Sequence, residues 1–106
     1  MKDNKKIVFY RTPGKILLKK CKAEAKRGNV VAQKILNTKT VTPTGEPHLV
    51  VEPEDASVAA ELFKEGVDTW YEEEKSKVAT KQDRNKFSCK HQSLIRKYRM
   101  VRAAGA

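Results

Sequence analysis

The sequence is poor in cysteine, and its two cysteines are far apart. Cys21 and Cys89 are separated by 68 positions in a chain of 106 residues. Secreted domains that depend on disulfides carry several closely spaced cysteines instead. The scarcity argues against a disulfide framework, so we expect reduced thiols and a cytoplasmic protein.

Metal-binding and catalytic motifs are also missing. Cys89 and His91 are two positions apart, about 200° around a helix, so they could converge on one zinc ion only if that segment were unwound. Gly14 lacks the companion glycine and the Lys-Ser/Thr pair of a phosphate-binding loop, and we interpret it as a turn. We expect no metal, no cofactor and no enzymatic activity, with Cys21 packed in the interior and His91 partly exposed.

The chain has no long apolar run near its amino terminus. Its run there, Ile7 to Tyr10, has four residues, whereas a membrane-spanning helix needs about 20. Hydrophobic residues nevertheless make up 39% of the sequence. A chain of this length can bury roughly two thirds of its unfolded surface. We therefore expect a single soluble domain with its own core and no membrane partner.

Charge is abundant and is segregated into three blocks. Residues 1–45 carry 12 Lys or Arg against 2 acids, residues 46–74 carry 10 acids against 1 Lys, and residues 75–106 carry 10 Lys or Arg against 1 acid. The blocks have net charges of +10, −9 and +9, which gives +10 for the chain. Two basic segments of this size can attract a polyanion, and the acidic segment can either neutralise them or bind a different partner.

Apolar spacing predicts mostly helical structure with a little sheet. Pro53 suits the first position of a helix, and Gly66 within that helix is expected to mark a close helix crossing. The predicted fold is an α+β single domain, 1–106, with about four helices and a short two-stranded ribbon. Its elements are strand 6–10, helix 14–27, helix 29–37, internal loop 38–47, strand 48–52, a helix from 53 to about 74, helix 83–102 and a frayed tail 103–106.

The same apolar positions predict the core. On each element the buried face should be the one that carries the large aliphatic and aromatic side chains. The expected core residues are Ile7, Phe9, Leu17, Val31, Ile35, Val50, Leu62, Phe63, Val67, Trp70, Leu94, Ile95 and Tyr98.

The leading functional hypothesis is a small accessory protein that binds DNA or RNA mainly through phosphate contacts. Cations repeated over several turns of a helix can follow a phosphate backbone while the apolar face packs on the domain. The first basic helix is a poor match to a helix-turn-helix reader, so no base readout is expected. The predicted contacts are Lys15, Lys19, Lys22, Lys26, Arg27, Lys86, Lys90, Arg96, Lys97, Arg99 and Arg102.

The alternative hypothesis is a protein-binding adaptor or inhibitor, of the kind that a virus or mobile element would encode. It would use the acidic, aromatic helix to engage a basic patch on a larger host complex. Large aromatics on such a helix can anchor either a core or an interface, and a partly exposed stripe would favour a homodimer. The residues predicted for this interface are Glu61, Glu65, Trp70 and Tyr71.

Overall fold

The computed structural model describes residues 6–78 and 80–105, which form four α-helices and a small antiparallel sheet. Helices hold well over half of these residues, so the predicted mostly helical α+β fold is confirmed. The elements in chain order are β1 (Ile7–Tyr10), α1 (Arg11–Lys26), α2 (Val30–Leu36), β2 (Thr40–Val41), β3 (Pro47–Val51), a 3₁₀ turn (Pro53–Asp55), α3 (Ala56–Lys75) and α4 (Lys81–Ala104).

The sheet has three strands in the order β1-β3-β2, and not the two that the sequence predicted. β1 pairs with β3 as expected, with Tyr10 opposite His48. The additional strand, β2, lies in the segment predicted to be a loop. A tight turn makes it possible, because the Thr42 N–H donates to the Glu46 carbonyl at 2.9 Å and Gly45 adopts a φ of +83°. A two-residue strand is too short to leave a periodic apolar signal.

α1 begins directly after β1, so the predicted turn at Gly14 is wrong. Arg11 takes a φ of +58°, which bends the chain from the strand into the helix. Pro13 fits there because the N–H groups of a first helical turn have no partner within the helix. Gly14 is buried, and a Cβ on it would lie 2.8 Å from the Pro47 carbonyl oxygen. The glycine is therefore needed where the helix meets the sheet backbone.

α4 is longer at both ends than predicted. It begins at Lys81 because the Thr80 hydroxyl accepts a hydrogen bond from the Asp83 N–H at 3.1 Å and caps the helix. It continues to Ala104, where fraying was expected. A Cβ on Gly105 would meet the Ser57 nitrogen at 2.8 Å, so the carboxy-terminal end of α4 packs closely against the start of α3.

One hydrophobic core lies between the sheet and the helices, centred on Phe9 and Phe63, whose ring centroids are 5.3 Å apart. Val50, a predicted core residue, lies instead on the opposite face of β3. Burial in β3 alternates, and Pro47, Leu49 and Val51 take the inner positions. Of the other predicted core residues, Phe9, Leu17, Ile35, Leu62, Phe63, Val67 and Leu94 are buried, and Ile7, Val31, Trp70, Ile95 and Tyr98 pack partly buried around them.

The α1–α3 crossing confirms the predicted close approach at Gly66. A Cβ on Gly66 would lie 2.7 Å from Cγ2 of Ile16 and 3.3 Å from the Ile16 carbonyl oxygen. The two helices can meet at this distance only because position 66 has no side chain. The crossing fixes how the basic helix α1 sits against the acidic helix α3.

Candidate nucleic-acid interface

α4 carries a dense set of cations that form no ion pair with carboxylates of the described chain. It has eight Lys or Arg and one acid, Asp83. None of these eight forms an ion pair with a carboxylate of residues 6–78 or 80–105. Lys86, Lys90 and Lys97 fall within about 40° of one another around the helix. Arg96, Arg99 and Arg102 form a second row, exposed to solvent at a spacing of three residues.

Several cations of the first basic block, unlike those of α4, form ion pairs with carboxylates. On α1, Lys19 pairs with Glu73 at 3.6 Å and Lys20 with Glu65 at 3.3 Å, both on α3. Arg27, the residue that follows α1, pairs with Glu24 of α1 at 3.4 Å. The acidic block therefore offsets much of the first basic block. Among the contacts predicted on α1, Lys15, Lys22 and Lys26 have no ion partner among the described carboxylates.

Lys97 makes contacts that hold the fold together. Its Nζ donates to the Val8 carbonyl oxygen at 2.7 Å and lies 4.9 Å from the centroid of the Phe9 ring. Val8 is on β1, an edge strand of the sheet, so α4 covers part of that edge. Burial lowers the pKa of Lys97, because removal from water disfavours its charged form. This lysine is less available to a phosphate than Lys86 or Lys90, which are exposed.

Two lysine-lined grooves share Trp70 among their lining residues. The first, of about 390 Å³, runs between α1 and α3 and is lined by Lys15, Lys19 and Lys20 together with Gly66 and Trp70. The second, of about 320 Å³, runs between α3 and α4. We call them the α1 groove and the α4 groove. Lining residues of the α4 groove are Trp70, Glu74, Lys77, Val78, Asp83, Lys86, Phe87 and Lys90.

Trp70 and Tyr71, predicted as interface anchors, pack against two rings of α4. The centroid of the Trp70 ring lies 5.2 Å from that of Phe87. The centroid of the Tyr71 ring lies 5.0 Å from that of Phe87 and 4.3 Å from that of His91. These aromatic contacts join the end of α3 to α4. Of the acidic residues predicted for the same interface, Glu65 is the partner of Lys20, and Glu61 is exposed.

The two cysteines occupy opposite environments. Cys21 is fully buried, and burial, followed by the nearby charge of Glu24, raises the pKa of its thiol to about 12. Cys89 is exposed, and both thiols are free.

Within the described ranges, no three His, Cys, Asp or Glu side chains come together as a metal site. No described helix is both long and apolar enough to cross a bilayer.

Most of the groove lysines belong to the contacts predicted from the sequence, and two do not. Lys20 and Lys77 line the grooves beside Lys15, Lys19, Lys86 and Lys90. The charge pattern could have suggested them, since both belong to the basic blocks. The sharing of Trp70 by the two grooves has no such signal, because it depends on how α1 and α4 flank α3. Arg96 and Lys97 line a different groove, of about 300 Å³, beside Val8 and Tyr10.

Comparison with known proteins gives no match: no protein-family model, curated protein or solved structure is similar to this chain. The function proposed below therefore depends on the geometry and charge of the chain itself.

Proposed function

We propose that this chain is a non-catalytic, cytoplasmic accessory protein that binds DNA or RNA through phosphate contacts, chiefly from α4. The observation that carries this proposal is the set of eight α4 cations without an ion partner among the described carboxylates. Unpaired cations along one helix produce a positive field that attracts a polyanion. Two free cysteines are consistent with a reducing compartment.

The contrast between the two basic blocks supports α4 as the principal contact. The α1 lysines that pair with α3 already lie next to carboxylates, so a phosphate must compete for them. The α4 lysines Lys86 and Lys90 share their groove with Glu74 and Asp83 but form no ion pair with a described carboxylate. We therefore expect α4 to supply most of the affinity, and Lys15 and its neighbours on α1 to add to it.

The direct test is a binding titration against salt. Labelled oligonucleotides, duplex and single-stranded, are titrated with protein and followed by fluorescence anisotropy. If about four duplex phosphates are contacted, affinity should fall about 100-fold between about 50 and 200 mM salt, since each contact releases counterions. No binding at the lowest salt concentration would disprove the proposal.

A matched pair of double variants tests the role of α4. Lys86→Gln with Lys90→Gln removes two exposed cations from α4. Lys39→Gln with Lys64→Gln removes the same charge from the α2–β2 connection and from α3, where Lys64 pairs with Asp68 at 2.9 Å. The α4 variant should lower the slope of log affinity against log salt by about 1.4 to 1.8, whereas the control should change it little. Equal losses in the two variants would mean that only net charge matters.

A pull-down with and without nuclease separates this proposal from the adaptor hypothesis. Partners held through nucleic acid should disappear when the extract is treated with nuclease. A protein that stays bound after complete digestion would argue for direct protein binding instead.

A further inference from the structure

We propose that Trp70 is a base-stacking site, and that the preferred ligand is single-stranded nucleic acid crossing α3 from the α1 groove to the α4 groove. This inference rests on the proposed function and names its ligand class more narrowly. Proteins that bind single strands combine a cationic groove for the backbone with an aromatic ring on which bases stack. Both parts are present here at one place.

Trp70 lies where a strand in either groove would reach it. It lines the α1 groove of about 390 Å³ and also the α4 groove of about 320 Å³. Its indole N–H makes no hydrogen bond to another described residue, and no buried side-chain nitrogen or oxygen is left without a partner. The indole N–H therefore reaches the surface, where a ligand can accept a hydrogen bond from it.

The indole is held in place by its neighbours on α4. The His91 ring is nearly parallel to it, with an angle of 8° between the planes and 6.3 Å between the centroids. The centroid of the Phe87 ring lies 5.2 Å from that of the indole. A ring fixed in this way loses little conformational freedom when a base stacks on it, and the loss of such freedom is one of the main costs of binding.

The lysines around Trp70 are placed for the phosphates on either side of a stacked base. Lys15 in the α1 groove, and Lys86 and Lys90 in the α4 groove, have no ion partner among the described carboxylates. The grooves also contain acids, of which Glu73 pairs with Lys19 at 3.6 Å and Glu74 with Lys77 at 3.5 Å. Exposed pairs of this kind contribute little stability, so these two lysines can exchange a carboxylate for a phosphate.

A groove of this kind distinguishes single strands from duplexes. In a duplex the base faces are already stacked on one another and cannot reach an aromatic side chain without unpairing. In a single strand they are free to stack on an indole. Phosphate contacts from α4 alone would instead favour the duplex, because its charge density is higher and each contact releases more counterions.

Trp70 supplies its own probe, because it is the one tryptophan in the sequence. Titration of the full chain with an oligothymidylate should quench the Trp70 fluorescence, and a duplex of equal charge should quench it much less. Tryptophan amide in parallel samples corrects for light absorbed by the oligonucleotide. Anisotropy of a labelled oligonucleotide measures binding separately in the same buffer.

Two variants of Trp70 test the stacking directly. Trp70→Leu should weaken single-strand binding about 5- to 150-fold, the range of losses for a stacked aromatic, and should weaken duplex binding much less. Trp70→Phe should restore part of the affinity, because it keeps a ring. Far-UV circular dichroism checks that both variants remain folded.

A second pair of variants leaves Trp70 and its packing intact. Ala23 is exposed and lines the α1 groove, so Ala23→Glu places a carboxylate on the path of the strand. Val30→Glu makes the same charge change at a side chain that is 74% exposed, in the first turn of α2. Ala23→Glu should weaken single-strand binding and reduce the quenching, whereas Val30→Glu should leave both close to those of the unmodified chain.

The outcomes separate this inference from the proposed function. Quenching by single strands, with selective loss in Trp70→Leu and Ala23→Glu, would support it. Binding by anisotropy with unchanged Trp70 fluorescence, and equal affinity in Trp70→Leu, would overturn it while phosphate binding by α4 stands. Absence of all oligonucleotide binding at low salt would remove the proposed function and this inference together.

Discussion

Replacing Gly66 by alanine should destabilise the protein, although alanine is the better helix former. The added Cβ would lie 2.7 Å from Cγ2 of Ile16, a distance that real Cβ atoms essentially never show. Ile16 is 8% exposed and packed in the core, and its carbonyl oxygen lies only 3.3 Å from the same point. Relief of the clash therefore requires that α1 and α3 move apart or that Ile16 leaves its preferred conformation.

The expected cost follows from two opposing effects. Alanine in the middle of a helix is worth about 1 kcal/mol relative to glycine. Overpacking a close contact costs about 1–3 kcal/mol, and the upper part of that range applies because both a buried side chain and a backbone atom are in the way. Gly66→Ala should therefore lower the free energy of unfolding by about 1–2 kcal/mol, which corresponds to roughly 5–10 °C in Tm.

Urea unfolding followed by far-UV circular dichroism measures this cost, and a double-mutant cycle identifies its cause. Ile16→Ala removes the atom that clashes, so Gly66→Ala should cost much less, or even stabilise, in that background. Gly28→Ala is the control. Gly28 has a φ of +92° and no atom near a Cβ, so its cost, about 1–2 kcal/mol for a left-handed residue, should not depend on Ile16. An unchanged or raised stability of Gly66→Ala, or an equal cost in both backgrounds, would refute this account of the crossing.

Three further predictions concern local features. In the native protein at pH 8 a thiol reagent should react rapidly with Cys89 alone, and Cys21 should react only after denaturation. The pKa of Cys21 is about 12 in the fold, against 9.0 for an ordinary thiol, so the unfolded chain loses that proton first as the pH rises. The free energy of unfolding should therefore fall between about pH 9 and pH 12. Urea unfolding of Cys21→Ala over the same pH range should show a shallower fall. Asn29→Ala should cost about 1 kcal/mol in the same assay, because it removes the side-chain acceptor for the Ala32 N–H at 3.1 Å.

The parts of the fold that local sequence determines were predicted well. The apolar period of α3 and α4 depends on residues three and four apart, and so does the pairing of opposite charges along a helix. The crossing at Gly66 could also be anticipated, since a glycine inside a strong helical pattern needs a packing reason. Errors arose where partners distant in sequence decide the outcome. Val50 and Leu49 are adjacent, and only the pairing of β3 with its neighbours determines which of them faces the core.

In the candidate site, too, some features follow from the local sequence and others depend on contacts between residues that are distant in sequence. The sequence shows that cations are concentrated at both ends of the chain and carboxylates in the middle. It could not determine which cations are neutralised, because the pairing of Lys19 with Glu73 joins residues 54 positions apart and depends on how α1 crosses α3. Coulomb attraction acts over distances in space and not along the chain. The packing of the helices therefore pairs α1 lysines with α3 carboxylates, leaves the α4 cations without an ion partner among the described carboxylates, and places Trp70 between the two grooves.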